Sequence, residues 1–138
     1  MTISPFLKSI FVAAALAACT TPPATTPQDN SFALSEGVDW VANNPEWGEK
    51  AEEVYALATD YVEEVASERP ANSWAVVLDI DETVLNNVDY QIRRERLGEG
   101  YTPESWSNWT AEKSATLVPG AKEFIERVNA LGGHVALV

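Results

Sequence analysis

Two aspartates stand two residues apart at the end of a short apolar run, in Val76-Val77-Leu78-Asp79-Ile80-Asp81-Glu82-Thr83-Val84-Leu85. An uninterrupted, valine-rich run of this length predicts a buried strand of a parallel sheet. Open α/β sheets place their sites beyond the carboxyl ends of such strands, which is where Asp79 and Asp81 fall. Strand residues i and i+2 project to the same side, so a chain that turns after Asp79 lets both carboxylates face one ligand. Two acids held that close are costly unless a cation neutralises them, and hard oxygen ligands of this kind suit Mg²⁺. One carboxylate can attack phosphorus and form an aspartyl-phosphate. The other can protonate the leaving oxygen and later activate water. Amides of the following loop, together with Thr83, can hold phosphate oxygens. Glu82 reads as a loop or capping residue rather than a ligand.

The elements that must position this loop flank it. A helix is expected from Asn44 as N-cap with Pro45 in its first turn, and Glu46 and Glu49 sit favourably near its start. Val54, Ala58, Tyr61, Val62 and Val65 recur at helical spacing and predict its buried stripe. Glu52, Glu53, Asp60, Glu63 and Glu64 predict its solvated face, and Pro70 ends it. Residues 74–78 are the strand that feeds the two aspartates. Residues 88–97 predict a short helix stopped near Gly98 and Gly100. Thr102-Pro103-Glu104 caps a helix that carries Trp106 and Trp109. Their i,i+3 spacing reads as core. The functional alternative has one of them lining a substrate entrance, and Tyr90 stands similarly. Pro119 opens a further helix with an apolar face of Ala121, Phe124, Ile125, Val128 and Leu131, and Gly132-Gly133 supply its stop. Glu123 and Arg127 stand in the favourable i,i+4 order along it. His134, read as structural, opens a second apolar strand that runs to Val138.

Helix, strand, excursion, helix, strand ends in a βαβ-type crossover, which predicts an α/β fold with a parallel sheet. Only two strands are visible, where a sheet averages about five or six. The second strand runs to the last residue, so the expectation is an N-terminal part of a longer enzyme.

Composition narrows the chemistry. With 21 acidic against 9 basic residues, the net charge of -12 repels phosphate backbones, so no nucleic-acid partner is expected. The single cysteine, Cys19, rules out an intrachain disulfide. With His134 as the single histidine, zinc sites of four cysteines or of two cysteines and two histidines are excluded too. Cys19 instead falls at the end of Met1-Thr2-Ile3-Ser4-Pro5-Phe6-Leu7-Lys8 and an apolar run closing in Leu16-Ala17-Ala18-Cys19. Lys8 is a positive n-region, and the apolar run is too short to span a bilayer. The pattern resembles a bacterial lipobox, with residues 1–18 as signal and Cys19 as the lipidated residue; the alternative is a plain secretory signal. Residues 20–30, rich in Thr and Pro, cannot build a core and read as part of a tether over residues 19–37.

At the aspartates the chain resembles the haloacid dehalogenase (HAD) superfamily, whose first motif is an apolar strand followed by D-x-D-x-T. The longer string from Trp74 to Asn87, with Tyr90-Gln91 after it, is similar to the acid phosphatases of that superfamily, and most to the class C, lipoprotein-type bacterial group, which is related to class B. Ser105-Trp106-Ser107-Asn108-Trp109 and Val118-Pro119-Gly120-Ala121 match segments that precede the second motif in that group. Asn86-Asn87-Val88-Asp89 departs from the D-N-S-P common in relatives. The resemblance implies a HAD-like Rossmannoid parallel sheet with a cap insertion over residues 86–118, truncated after the second core strand, within a body of residues 38–138. It implies that Asp79 is the nucleophile and a Mg²⁺ ligand. Asp81 is the general acid/base and gives its backbone carbonyl to the metal, and Thr83 supports the loop. The implied activity is acid phosphatase hydrolysis of a small phosphomonoester at acidic pH, by a protein lipid-anchored to the bacterial cell envelope. A HAD phosphotransferase and a truncated, non-catalytic lipoprotein are the alternatives. The second-motif Ser/Thr, the third-motif basic residue and the fourth-motif acids would follow Val138, and the chain without them is expected to be inactive.

Overall fold

The computed structural model describes residues 32–138; Cys19, the expected signal and the Thr/Pro-rich run lie outside the described residues. Helix α1 (Glu36–Asn43) turns directly into helix α2 (Pro45–Ala66). The break is chemical: Pro45 lacks the amide to continue α1, and the Asn44 side chain accepts from the Glu46 amide at 3.0 Å to start α2. α1 begins at Glu36, inside the segment that composition assigned to the tether.

Strands β1 (Ala75–Leu78) and β4 (His134–Leu137) pair in parallel, with Val76 opposite Val135 and Leu78 opposite Leu137. Helix α5 (Ala121–Ala130) connects into β4 and packs with α2 on one face of the pair. Val62, Phe124 and Val128 form the core there, with Tyr55, Ala58, Val76, Leu78 and Val135 against it. The α/β, parallel-strand expectation therefore holds. The stripe on α2 needs correction. Val54 and Tyr61 are 63% and 66% exposed, because the covered face runs through Tyr55, Ala58, Val62 and Ala66, one step around the helix. The Glu123–Arg127 pairing is also replaced. Arg127 Nε reaches Glu63 Oε1 at 2.6 Å, so it joins α5 to α2 instead of bracing α5.

Between β1 and α5 the chain makes its excursion. It leaves through β2 (Leu85–Asn86), forms α3 (Val88–Leu97) and α4 (Pro103–Glu112), and returns through β3 (Thr116–Leu117). β2 and β3 pair with each other antiparallel, and the Val118 amide donates to the Val84 carbonyl at 3.0 Å. Thr102 and Ser105 cap α4 reciprocally, as the sequence signals. α5 starts at Ala121, two residues after Pro119, because Gly120 takes φ 84° before it. A Cβ on Gly120 would lie 2.9 Å from Tyr55 Cβ, so both the backbone and the α2 contact require glycine.

Candidate active site

Asp79 is the first residue after β1, and Asp81 lies two further on, bridged to Leu85. The intervening turn is tight. The Ile80 carbonyl accepts from the Val84 amide at 2.9 Å and the Leu85 amide at 2.8 Å, while the Glu82 amide donates to the Leu85 carbonyl at 2.7 Å. Closing that turn puts Glu82 at φ 59°, a left-handed conformation rare for a side chain of this kind. Glu82 is thus a loop residue, as expected. With the Ile80, Glu82, Val84 and Leu85 amides engaged, the Asp81 and Thr83 amides are left without a protein acceptor among the described residues. These are the loop amides free to meet an anionic ligand.

The three sequence-picked residues share this turn. The Thr83 hydroxyl donates to Asp79 Oδ2 at 3.4 Å, the long limit of a hydrogen bond. Asp79 and Asp81 are both exposed. Among the described residues neither is in an ion pair, since the four pairs found use Glu63, Glu99, Glu112 and Glu126. Two open carboxylates with no cationic side chain beside them are a donor set that fits a hard divalent ion. The set is partial, because no group of three potential ligands gathers among the described residues.

Two residues not singled out for the site support it. Tyr55 on α2 donates its hydroxyl to the Thr83 carbonyl at 2.6 Å and packs its ring on Phe124 with centroids 5.5 Å apart. Burial pushes the Tyr55 phenol above its ordinary 10.0, so this donor persists through neutral pH. Asn87 donates from Nδ2 to Asp81 Oδ1 at 3.0 Å and accepts from Trp109 Nε1 at 2.8 Å. Tyr55 could have been suspected only from the helical face it shares with Ala58 and Val62. Asn87 looks like an ordinary helix cap. Trp109 is 3% exposed and Tyr90 4%, so both are core residues, the first of the two readings their sequence allowed. Tyr90 stacks edge-on to Trp106 at 5.1 Å and pairs its hydroxyl with Ser105 Oγ at 2.9 Å. An apolar cleft of about 430 Å³ between α2 and the turn reaches Thr83 but neither aspartate.

An Asp-x-Asp-x-Thr turn at the carboxyl end of a parallel strand, with a helical excursion closing beside it, defines the HAD class of α/β proteins. Within that class the chain belongs to the family described as HAD superfamily, subfamily IIIB (acid phosphatase), whose model matches residues 13–138. Two solved structures of the class C acid phosphatase from Bacillus anthracis, one with tungstate bound, are similar to it. Each is 26% identical with a TM-score of 0.66, over 71% of this chain and 41% of that one. The chain thus spans about two fifths of the length of these relatives.

Proposed function

We infer that the protein is a phosphomonoester hydrolase that works through an aspartyl-phosphate. The observation that carries this is the pair of exposed carboxylates leaving β1 in one turn, with the Thr83 hydroxyl on Asp79. The phosphorus of a small phosphomonoester is attacked by a carboxylate oxygen of Asp79, and its bond to the ester oxygen breaks. Asp81 gives its proton to the departing oxygen. Asp81 then accepts a proton from water, whose oxygen attacks phosphorus and frees Asp79 and inorganic phosphate. The Asp81 and Thr83 amides meet the non-reacting phosphate oxygens, and Thr83 orients Asp79. Mg²⁺ is the ion these residues suit: the Asp79 carboxylate and the Asp81 carbonyl would hold it, and it would supply positive charge to the phosphoryl group. Family membership and the tungstate-bound relative support this reading, tungstate being a phosphate-like oxyanion. We further assign Cys19 as a lipidated residue that holds the protein to the bacterial envelope, and palmitate labelling lost in Cys19→Ser tests that.

The central test uses the natural gene product and a radiolabelled phosphate ester, quenched in acid. Label that is released by hydroxylamine and is lost in Asp79→Asn supports the acyl-phosphate. Turnover that survives Asp79→Asn at the wild-type rate refutes it.

A further inference from the structure

The geometry points to Asn87 as a positioning residue for the general acid, one that ties the aim of Asp81 to helix α4. This rests on the proposed role of Asp81. Asn87 is the one buried polar residue among the described residues, 2% exposed. It sits at the N-cap of α3, where an asparagine side chain ordinarily accepts from the helix's first amides. Here it makes no such bond. Its neighbour Asn86 accepts from the Val88 amide instead, at 2.9 Å, and both ends of the Asn87 amide are turned elsewhere.

The hydrogen-bond directions follow by elimination. An indole N–H can only donate, so the Asn87 atom 2.8 Å from Trp109 Nε1 is the carbonyl oxygen. The opposite end is then the NH₂ group, which can only donate. The Asp81 oxygen 3.0 Å from it must therefore accept, and the carbonyl oxygen of a protonated carboxyl is the better acceptor, which favours that form at Oδ1. A proton that Asp81 carries for the leaving group is thereby favoured on Oδ2. A free carboxyl swivels and presents either oxygen, whereas this one presents a single oxygen in a fixed direction. Trp109 prevents the amide from flipping, and Trp109 is itself held, buried at 3% exposure with the Arg93 guanidinium 4.9 Å over its ring. The chain of contacts runs from α4 through Trp109 and Asn87 to Asp81.

General-acid help matters most when the leaving group is poor, so the test compares substrates within each variant of the natural gene product. The variants are Asn87→Leu, Trp109→Phe and the double variant, read with para-nitrophenyl phosphate and with glycerol phosphate. The double variant removes both partners of the Asn87–Trp109 bond, so neither polar group is left buried without its partner, at the cost of the volume lost from Trp to Phe. The expected result is a kcat/KM loss with glycerol phosphate about 10- to 100-fold larger than with the nitrophenyl ester, since kcat/KM reads the leaving-group step and not the later hydrolysis common to both. The double variant should keep this signature while retaining the far-ultraviolet circular dichroism of wild type. Equal losses of kcat/KM with both esters would overturn the assignment. Asp81→Asn is the control. If it discriminates between the esters and the Asn87 variants do not, the positioning role alone falls. If Asp81→Asn does not discriminate, the general-acid reading falls and the inference with it.

Discussion

Asp79 and Asp81 are the same residue type in the same turn, and their neighbours hold them differently. Asp79 meets a hydroxyl, Thr83 Oγ1, at the long distance of 3.4 Å, and stays open to a ligand. Asp81 is gripped by an amide at 3.0 Å. The difference fits the proposed roles, a nucleophile that must approach its target and an acid that must hold one direction. Asp79→Asn is expected to lower kcat at least about a thousandfold, and Asp81→Asn about 10²- to 10⁴-fold, in steady-state assays of the natural gene product. Thr83→Val keeps the volume and removes the hydroxyl. It should cost under about 1.5 kcal/mol of stability by urea titration, with its larger effect on kcat. The two aspartates and the threonine were legible because their spacing at a strand end is itself the signal. Asn87 was not, since an asparagine before a helix has an ordinary local use, and only the fold shows that its side chain forgoes it.

At the scale of elements, the turn is braced from α2 by Tyr55, and Tyr55 needs Gly120 to lie against it. Gly120→Ala faces two penalties at once, φ 84° and a Cβ placed 2.9 Å from Tyr55 Cβ. It should destabilise the fold by about 1–3 kcal/mol in a denaturant melt and lower activity by shifting the Thr83 carbonyl. A second brace joins α1 to α3. The Ser35 amide donates to Glu95 Oε2 at 2.9 Å, and the Ser35 hydroxyl donates to Glu95 Oε1. These bonds hold the Glu95 carboxyl below its ordinary 4.5. A carboxyl depressed in the folded state stabilises above its ordinary value and loses that contribution as pH falls through the depressed one. Opening of α1, read as hydrogen exchange corrected for its intrinsic pH dependence, should therefore quicken below about pH 4.5 in wild type. Ser35→Ala should quicken it already at neutral pH. Capping and periodicity made α3, α4, β1 and the start of α2 readable within a residue or so, but α2 ends at Ala66, short of the Pro70 stop read from the sequence. β2 and β3, two residues each, are too short to carry a period, and they form only because the two ends of the excursion meet. Val54 and Tyr61 misled because an apolar residue on a helix need not face the layer that covers it.

Among the described residues most charged side chains lie on helices, while the sheet face turned away from α2 and α5 presents Ala75, Val77, Ala136 and Val138 beside His134. Val77 is 63% exposed and Val138 70%, and alternation along β1 and β4 places them on that same face. Residues 32–138 produced alone are expected to bind a hydrophobic dye strongly, and Val77→Thr with Val138→Thr should weaken the signal. The parallel pair was legible from its two valine-rich runs, but which of its faces is covered was not, because both faces read as apolar. The short β2–β3 ladder has a consequence for how such a molecule can diverge. The excursion leaves and rejoins the chain at one place, so it behaves as a cassette that can be lengthened or exchanged with little strain on β1 and β4. The indole of Trp109 makes the exchange conditional. A replacement that closes the same ladder without a donor there orphans the Asn87 carbonyl, so a new cap must bring its own key to the old lock.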